Sequence, residues 1–308
     1  MKASAIAPRR RYPLVERREG IDRESLERDY LARNRPVIVS VDDVASRTHW
    51  DLATLRATYG DCAIDAEETE QVYVGQRARR RLPLSALIDG VLAGDVALRC
   101  KGLELLSTID GMKAQLAASP PPSDRLLPTT TASTRRALWV SPRGTMSSFH
   151  HDGNSDNYNW QIEGEKLFVL ARPDRFDELY AHGSAESPIN PFHPDLGRFP
   201  RFASAAALEA TLRPGEVLLV PKYWWHCVYT AQPSVNLNTW FSFHGEISPW
   251  RALAGAPLLH RSCAALAAEM KRRELFRLAS ATRRLWYAAY ERFAEHPRPE
   301  PRGELLDP

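Results

Sequence analysis

The sequence is short of the features that mark several protein classes. It has only four cysteines, Cys62, Cys100, Cys227 and Cys263, and no two form a CxxC pair. A disulfide framework or a zinc knuckle is therefore not expected, and reduced thiols in a cytoplasmic protein are. No apolar run approaches the ~20 residues needed to cross a bilayer. The opening MKASAIAPRRRYPLVE lacks the apolar centre of a secretory signal, so no membrane partner is expected. Net charge is only +3 over 308 residues, too little to demand nucleic acid or anionic lipid. There is no internal repeat. The length allows one large core with an appended element.

What is present changes along the chain. Residues 1–20 carry Arg9-Arg10-Arg11 and Arg17-Arg18 and read as an extended basic arm, a solvated tail in the simplest view. Residues 21–136 read as an α/β region packed on a barrel. The pattern IDRESLERDYLARN has helical spacing with Asp22 as N-cap, and Val37–Val41 is a β-branched strand. Trp50 to Tyr59 and Pro83 to Leu92 read as helices, and Cys62–Asp65, Gln71–Val74 and Val96–Cys100 as strands. Arg77, Arg79, Arg80 and Arg81 form a basic turn, either an exposed loop or a substrate-facing patch. From residue 137 to 248 the texture is β. Short strands are joined by the turns Glu163-Gly164-Glu165 and Arg213-Pro214-Gly215-Glu216, with an insertion over residues 173–210. In Ser234 to Trp240, alternation puts Ser234, Asn236 and Asn238 on one face and Val235, Leu237 and Thr239 on the other. Residues 249–296 read as a helical element that caps the barrel or forms a homodimer interface, and 297–308 as a disordered tail.

The chemistry gathers in SSFHHDGNSDNYNWQIEGEK, Ser147 to Lys166. In a strand, side chains two apart share a face, so His150 and Asp152 can reach one ion while His151 points away. Taken alone, such a pair is more often two ordinary polar residues. His226, closing the apolar unit VLLVPKYWWH, changes that reading. Two histidines and one carboxylate leave three positions open on an octahedral iron.

The run Ser147 to Lys166, with LRPGEVLLVPKYWWHCVYT and SVNLNTWF, resembles the JmjC (cupin-like) subgroup of Fe(II)- and 2-oxoglutarate-dependent oxygenases, and RDYLARNRPVIV resembles that family's N-terminal region. The resemblance implies a mainly β fold with flanking helices, built on a double-stranded β-helix (cupin, jelly-roll) barrel of eight antiparallel strands. It implies His150, Asp152 and His226 as ligands of Fe(II), and Lys166 as the cation for the far carboxylate of 2-oxoglutarate. Ser147 would assist that carboxylate, and Asn157 and Asn238 would hydrogen-bond the oxoacid or an iron-bound water. Trp139 and Trp240 are candidates to wall the pocket. A tyrosine that some members place on an earlier strand has no counterpart, and Arg99 and Tyr73 are the candidates to stand in for it. The implied activity is dioxygenase hydroxylation of a C–H bond with O2 as co-substrate, on a protein or peptide side chain, with a small metabolite or RNA base as alternatives. A non-catalytic cupin-like binding module is the rival from another class.

Overall fold

The computed structural model describes residues 12–243, apart from 42–48, 69–77, 96–97, 100–105, 107–108, 130, 132–133, 154 and 182–184. The expected strand Gln71–Val74, the C-terminal helical element with its dimer interface, and the tail all lie outside the described residues.

In chain order the elements are β1 (Arg17–Glu19), α1 (Arg23–Leu26) running into a π-helical turn Glu27–Leu31, β2 (Val37–Ser40), α2 (Leu52–Tyr59), β3 (Ala63–Glu68), β4 (Ala78–Pro83), α3 (Leu84–Ala93), β5 (Leu98–Arg99) and α4 (Asp110–Ala118). The barrel strands follow: β6 (Thr134–Ser141), β7 (Phe149–His150), β8 (Asp156–Glu163), β9 (Lys166–Ala171), then β10 (Glu186–Ser187), β11 (Leu208–Leu212), β12 (Glu216–Val220), β13 (Trp225–Thr230) and β14 (Ser234–Phe241). Asp22 caps α1 as expected, its carboxylate accepting from Ser25 N at 2.7 Å.

Two sheets face each other, one in the order β1-β2-β12-β8-β14-β6 and the other β10-β7-β13-β9-β11. From β6 to β14, β10 excepted, successive strands alternate between them with one break, where β9 and β11 follow each other in the same sheet: β6, β8, β12 and β14 lie on one side, β7, β9, β11 and β13 on the other. That alternation is the double-stranded β-helix, and its eight strands pair antiparallel. A separate small sheet, β4-β3-β5, lies in the N-terminal region.

Period-two alternation sorts each strand. Outward residues Val140, Tyr158, Trp160, Val217, Val235 and Leu237 form one core with Leu26, Leu55, Leu84 and Leu87 of the helices. Outward residues Phe149, Val169, Trp225 and Cys227 of the second sheet pack beneath Phe176, Leu179, Ile189 and Phe202 of the insertion. Between the sheets, one half is apolar, with Ile38, Leu218 and Val220 against Phe168, Leu170 and Leu212. The other half is lined by polar side chains, and there lies the site.

Three expectations are corrected. The arm is not a solvated tail over its described part. Val15 N donates to Glu209 O and Glu209 N to Pro13 O, both at 2.8 Å, while β1 pairs parallel with β2, so residues 12–19 strap one sheet to the other. Arg79, Arg80 and Arg81 of the basic turn lie instead in strand β4, whose register sets Arg79 opposite Glu67 and Arg81 opposite Asp65, and Arg77 lies outside the described residues. A strand of cations is tolerated there because the strand beside it is acidic, and Arg81 Nη1 lies 3.8 Å from Asp65 Oδ1. Finally, the end of the presumed insertion, Leu208–Leu212, is a barrel strand paired along its length with β9.

Candidate metal centre and the polar interior

β13 and β7 meet at one register pair, His226 opposite His150, and this contact places the two imidazoles side by side with ring centroids 4.4 Å apart. Asp152 stands two residues on, past the end of β7, so its direction comes from hydrogen bonds and not from strand alternation. Its Oδ2 accepts from Trp240 Nε1 at 2.8 Å and from Asn157 Nδ2 at 3.0 Å. Asp152 Oδ1 lies 3.7 Å from His150 Nε2, and Oδ2 lies 3.7 Å from His226 Nε2. One ligand atom from each of the three lies within 4.8 Å of the others. His151 turns the other way, buried edge-on against Trp225 with ring centroids 4.7 Å apart.

The protonation pattern suits a cation. His150 Nδ1 faces Ser148 O at 2.8 Å and His226 Nδ1 faces Trp224 O at 3.2 Å. A carbonyl only accepts, so each Nδ1 carries hydrogen and Nε2 is the ring nitrogen turned toward the other ligands. Burial, with His150 beside it, lowers the His226 pKa to about 4, so this ring is neutral at physiological pH. For Asp152, burial pushes upward, but the imidazoles and its two hydrogen bonds outweigh it and hold the carboxyl below its usual range. Two imidazoles, with His226 neutral, and an anionic oxygen, with room on one side, are a donor set that fits Fe(II). The room is on the side of β7: the side chains of His150 and Asp152 are 29% and 20% exposed, that of His226 only 6%.

Away from the triad the first sheet presents its inward side chains in rows. Arg135, Trp240 and Asn157 share one row, at the level of Asp152. Ala137, Asn238 and Asn159 form the next, and Trp139, Asn236 and Gln161 the third. Trp240 and Asn236 are four residues apart, about 13 Å of strand. At the far row sits Lys166, buried at 5% exposure, its Nζ donating to Asn236 Oδ1 at 3.2 Å. Among the described residues no carboxylate pairs with it, and burial lowers its pKa to about 7. Over these three rows, Asn157 Oδ1, Asn159 Nδ2, Asn238 Oδ1, Gln161 Oε1 and Trp139 Nε1 are buried without a hydrogen-bond partner. Buried polar atoms are seldom left so, and five lining one interior point to a polar occupant.

The other candidate residues are placed as follows. Ser147 is occupied elsewhere: its hydroxyl accepts from Val228 N and donates to Ser148 O, both at 3.0 Å, stitching the loop before β7 to β13. Asn157 holds Asp152 through its amide. Asn238 faces the interior on the row between triad and lysine. Arg99 belongs to β5 in the small separate sheet, not to the barrel, because among the described residues β5 pairs with β3 alone; Tyr73 lies outside the described residues. One role of each of two residues went unread in the sequence. Asn236 is the partner of Lys166, and the alternation of SVNLNTW already put it on the inward face. Trp240, taken as a pocket wall, is also a donor to Asp152, a pairing that only the register of β14 with β8 reveals.

Comparison with known proteins adds a family. The model of the cupin-like domain matches residues 23–246. The human HSPB1-associated protein 1 is 37% identical over 116 residues, covering 35% of this chain and 24% of that protein. The human bifunctional peptidase and (3S)-lysyl hydroxylase JMJD7 is 26% identical over 259 residues, 71% of this chain and 81% of that protein. Lysine-specific demethylase 8 of Xenopus tropicalis is 33% identical over 110 residues, 34% and 24% respectively. The match thus spans about a quarter of the length of the first and third relatives.

Proposed function

This chain belongs to the cupin-like domain family, and from that premise we propose that it is an Fe(II)- and 2-oxoglutarate-dependent oxygenase that hydroxylates a C–H bond on a protein or peptide side chain. One observation carries the reading: a buried ammonium, Lys166, opposed only by an amide oxygen, faces the same interior as a two-histidine, one-carboxylate triad. Burying a cation without a counter-charge is costly, and a site that keeps one is complete only with an anion. A dicarboxylate answers the need at both ends, one carboxylate on Lys166 and the oxoacid end at the metal. The hydroxylase in the name of the human relative matched over 71% of this chain supports the reaction class.

In this reading His150, Asp152 and His226 hold the iron. When bound, the iron with 2-oxoglutarate and O2 supplies the oxidising chemistry that replaces hydrogen by hydroxyl. The rest is positioning by the chain. Nδ1–H bonds to Ser148 O and Trp224 O keep Nε2 of both imidazoles turned toward Asp152, where they would hold the metal, and Trp240 and Asn157 fix the Asp152 carboxylate. Lys166 binds the far carboxylate by a charge-assisted hydrogen bond and sets the depth to which the diacid enters. Asn238 and Asn159, between them, offer amide groups along its length. Leu218, Val220, Phe168 and Leu170 close the inner end against water.

The test is the substrate-uncoupled conversion of 2-oxoglutarate to succinate by iron-loaded protein. Succinate should form with the wild type and not with His150→Ala. An absorption band should also appear when 2-oxoglutarate is added to the Fe(II) form without oxygen. Absence of both from folded, iron-loaded wild type rejects the oxygenase and leaves a binding module.

A further inference from the structure

Arg135 stands at the rim of the barrel in the row that holds Trp240 and Asn157, at the level of the metal ligands, on β6, the edge strand of its sheet. Its side chain is exposed, and its guanidinium carbon lies 4.5 Å from the Trp240 ring centroid, stacked as a cation on the indole. The same indole donates to Asp152, so one ring separates this arginine from a metal ligand. The centre opens on the side of His150 and Asp152. Among the described residues no carboxylate pairs with Arg135.

We propose that Arg135 is a specificity-determining residue that receives a carboxylate of the substrate, an acidic side chain close to the hydroxylated residue of a peptide. The inference deepens the oxygenase reading and rests on it. The contact with the Trp240 ring uses none of the guanidinium N–H groups, which have no side-chain hydrogen-bond partner among the described residues and form the fork that a carboxylate fits with two bonds. Charge points the same way. The formal charges of a divalent ion, Asp152, Lys166 and a bound dicarboxylate cancel, so Arg135 is left as a cation on the Trp240 side of the opening, with Glu186 the anion across from it beside His150. A substrate bringing an anion gains there, and one bringing a cation loses. A nucleic acid is the poorer fit, because its binding draws on several cations along a phosphate backbone. Here the opposite lip carries Glu186, on β10, in register with His150.

The probe is a set of fluorescein-labelled peptides of one length, randomised at the central residue and flanked by Glu, Gln or Lys. Binding is read by fluorescence polarisation on full-length protein loaded with Mn(II) and 2-oxoglutarate. A charge-assisted bidentate contact predicts that the Glu set binds roughly tenfold or more tighter than the Lys set. Arg135→Glu should invert the order, and Arg135→Gln should level it. Melting temperatures check that the variants are folded, and if Arg135→Glu is not, loss of the preference in Arg135→Gln decides. Equal binding of all three sets by the wild type overturns the inference, as does a preference that survives in the variants. So does a single-stranded RNA of matching length that binds more tightly than the Glu set. Failure of the oxygenase reading is seen separately, as absence of succinate from the iron-loaded wild type.

Discussion

The indole Nε1 of Trp240 lies 2.8 Å from Oδ2 of Asp152 and donates to it, tying the last strand of the barrel to a carboxylate that stands outside any strand. Asp152 follows a two-residue strand and precedes Gly153, a residue at φ +69°, so little in its own segment fixes its direction. Trp240→Phe keeps most of the packing and removes the donor. Fe(II) affinity should fall by about 10- to 100-fold, the usual effect of losing an outer hydrogen bond to a metal ligand. Chelator competition measures it. Affinity equal to wild type would mean that Asn157 alone orients the carboxylate.

Lys166 gives the protein a pH dependence whose sign is opposite to that of a paired lysine. Burial lowers its pKa from 10.5 to about 7. Between those values the unfolded chain keeps the proton that the folded chain has given up. The unfolded state thus binds more protons, and stability without ligand should rise as pH climbs from about 7 towards 10. Below about 7 the full cost of the buried cation is present. A dicarboxylate stabilises the charged form, so its effect on melting should be largest at the low end of that window and fade above it. Lys166→Met should flatten the pH dependence and abolish the response to 2-oxoglutarate, while raising the ligand-free melting temperature by roughly 2–4 °C for each kcal/mol of cation burial removed. Thermal melts at three pH values, with and without 2-oxoglutarate, read all of this. A ligand response that survives in Lys166→Met sinks the lysine's assigned role.

Gly164 makes the turn that carries the chain from β8 in one sheet to β9 in the other and delivers Lys166 to the interior. It lies at φ +74°, and a Cβ there would overlap Pro233 O and lie 2.9 Å from Pro233 C, both backbone atoms that cannot swing aside. Gly164→Ala therefore combines a left-handed conformation for a residue with a side chain, about 1–2 kcal/mol, with overpacking of about 1–3 kcal/mol. Urea unfolding should show a loss of about 3 kcal/mol. A loss under 1 kcal/mol would show that the turn can relax.

Local patterns carried much of this architecture, and long-range register carried the rest. The glycine turn before Lys166 and the alternation of SVNLNTW are each decided by neighbours within a few residues, so they were legible, whereas the HxD pair was legible as a motif although its Asp152 is aimed from the last strand. The depth of Lys166, the seat of Trp240 on Asp152 and the stacking of Arg135 depend on which residue of β14 faces which residue of β6 and β8. No local pattern encodes that register. The basic run before Pro83 misled for the same reason: an arginine strand is implausible until the acidic strand beside it, with Asp65 across from Arg81, is known. Ser147 shows the limit of analogy by position. Its hydroxyl sits at the expected place in the sequence, yet it bonds backbone on both sides.

The pair Lys166 and Asn236 allows a sharper test than deletion of either. Asn236 Oδ1 accepts from Nζ at 3.2 Å, and its amide nitrogen donates to Trp160 O at 3.1 Å. Asn236→Asp keeps the shape and exchanges the amide for a carboxylate, at the loss of the bond to Trp160. The lysine then has an anion inside the protein and no longer needs one from outside. Its pKa should rise, which removes the pH dependence of ligand-free stability, and 2-oxoglutarate affinity should drop by at least tenfold because the site for its far carboxylate is already answered. Calorimetric titration of 2-oxoglutarate into Mn(II)-loaded wild type and variant decides the matter. Should the variant bind as tightly as the wild type, the diacid is held by something other than this ammonium.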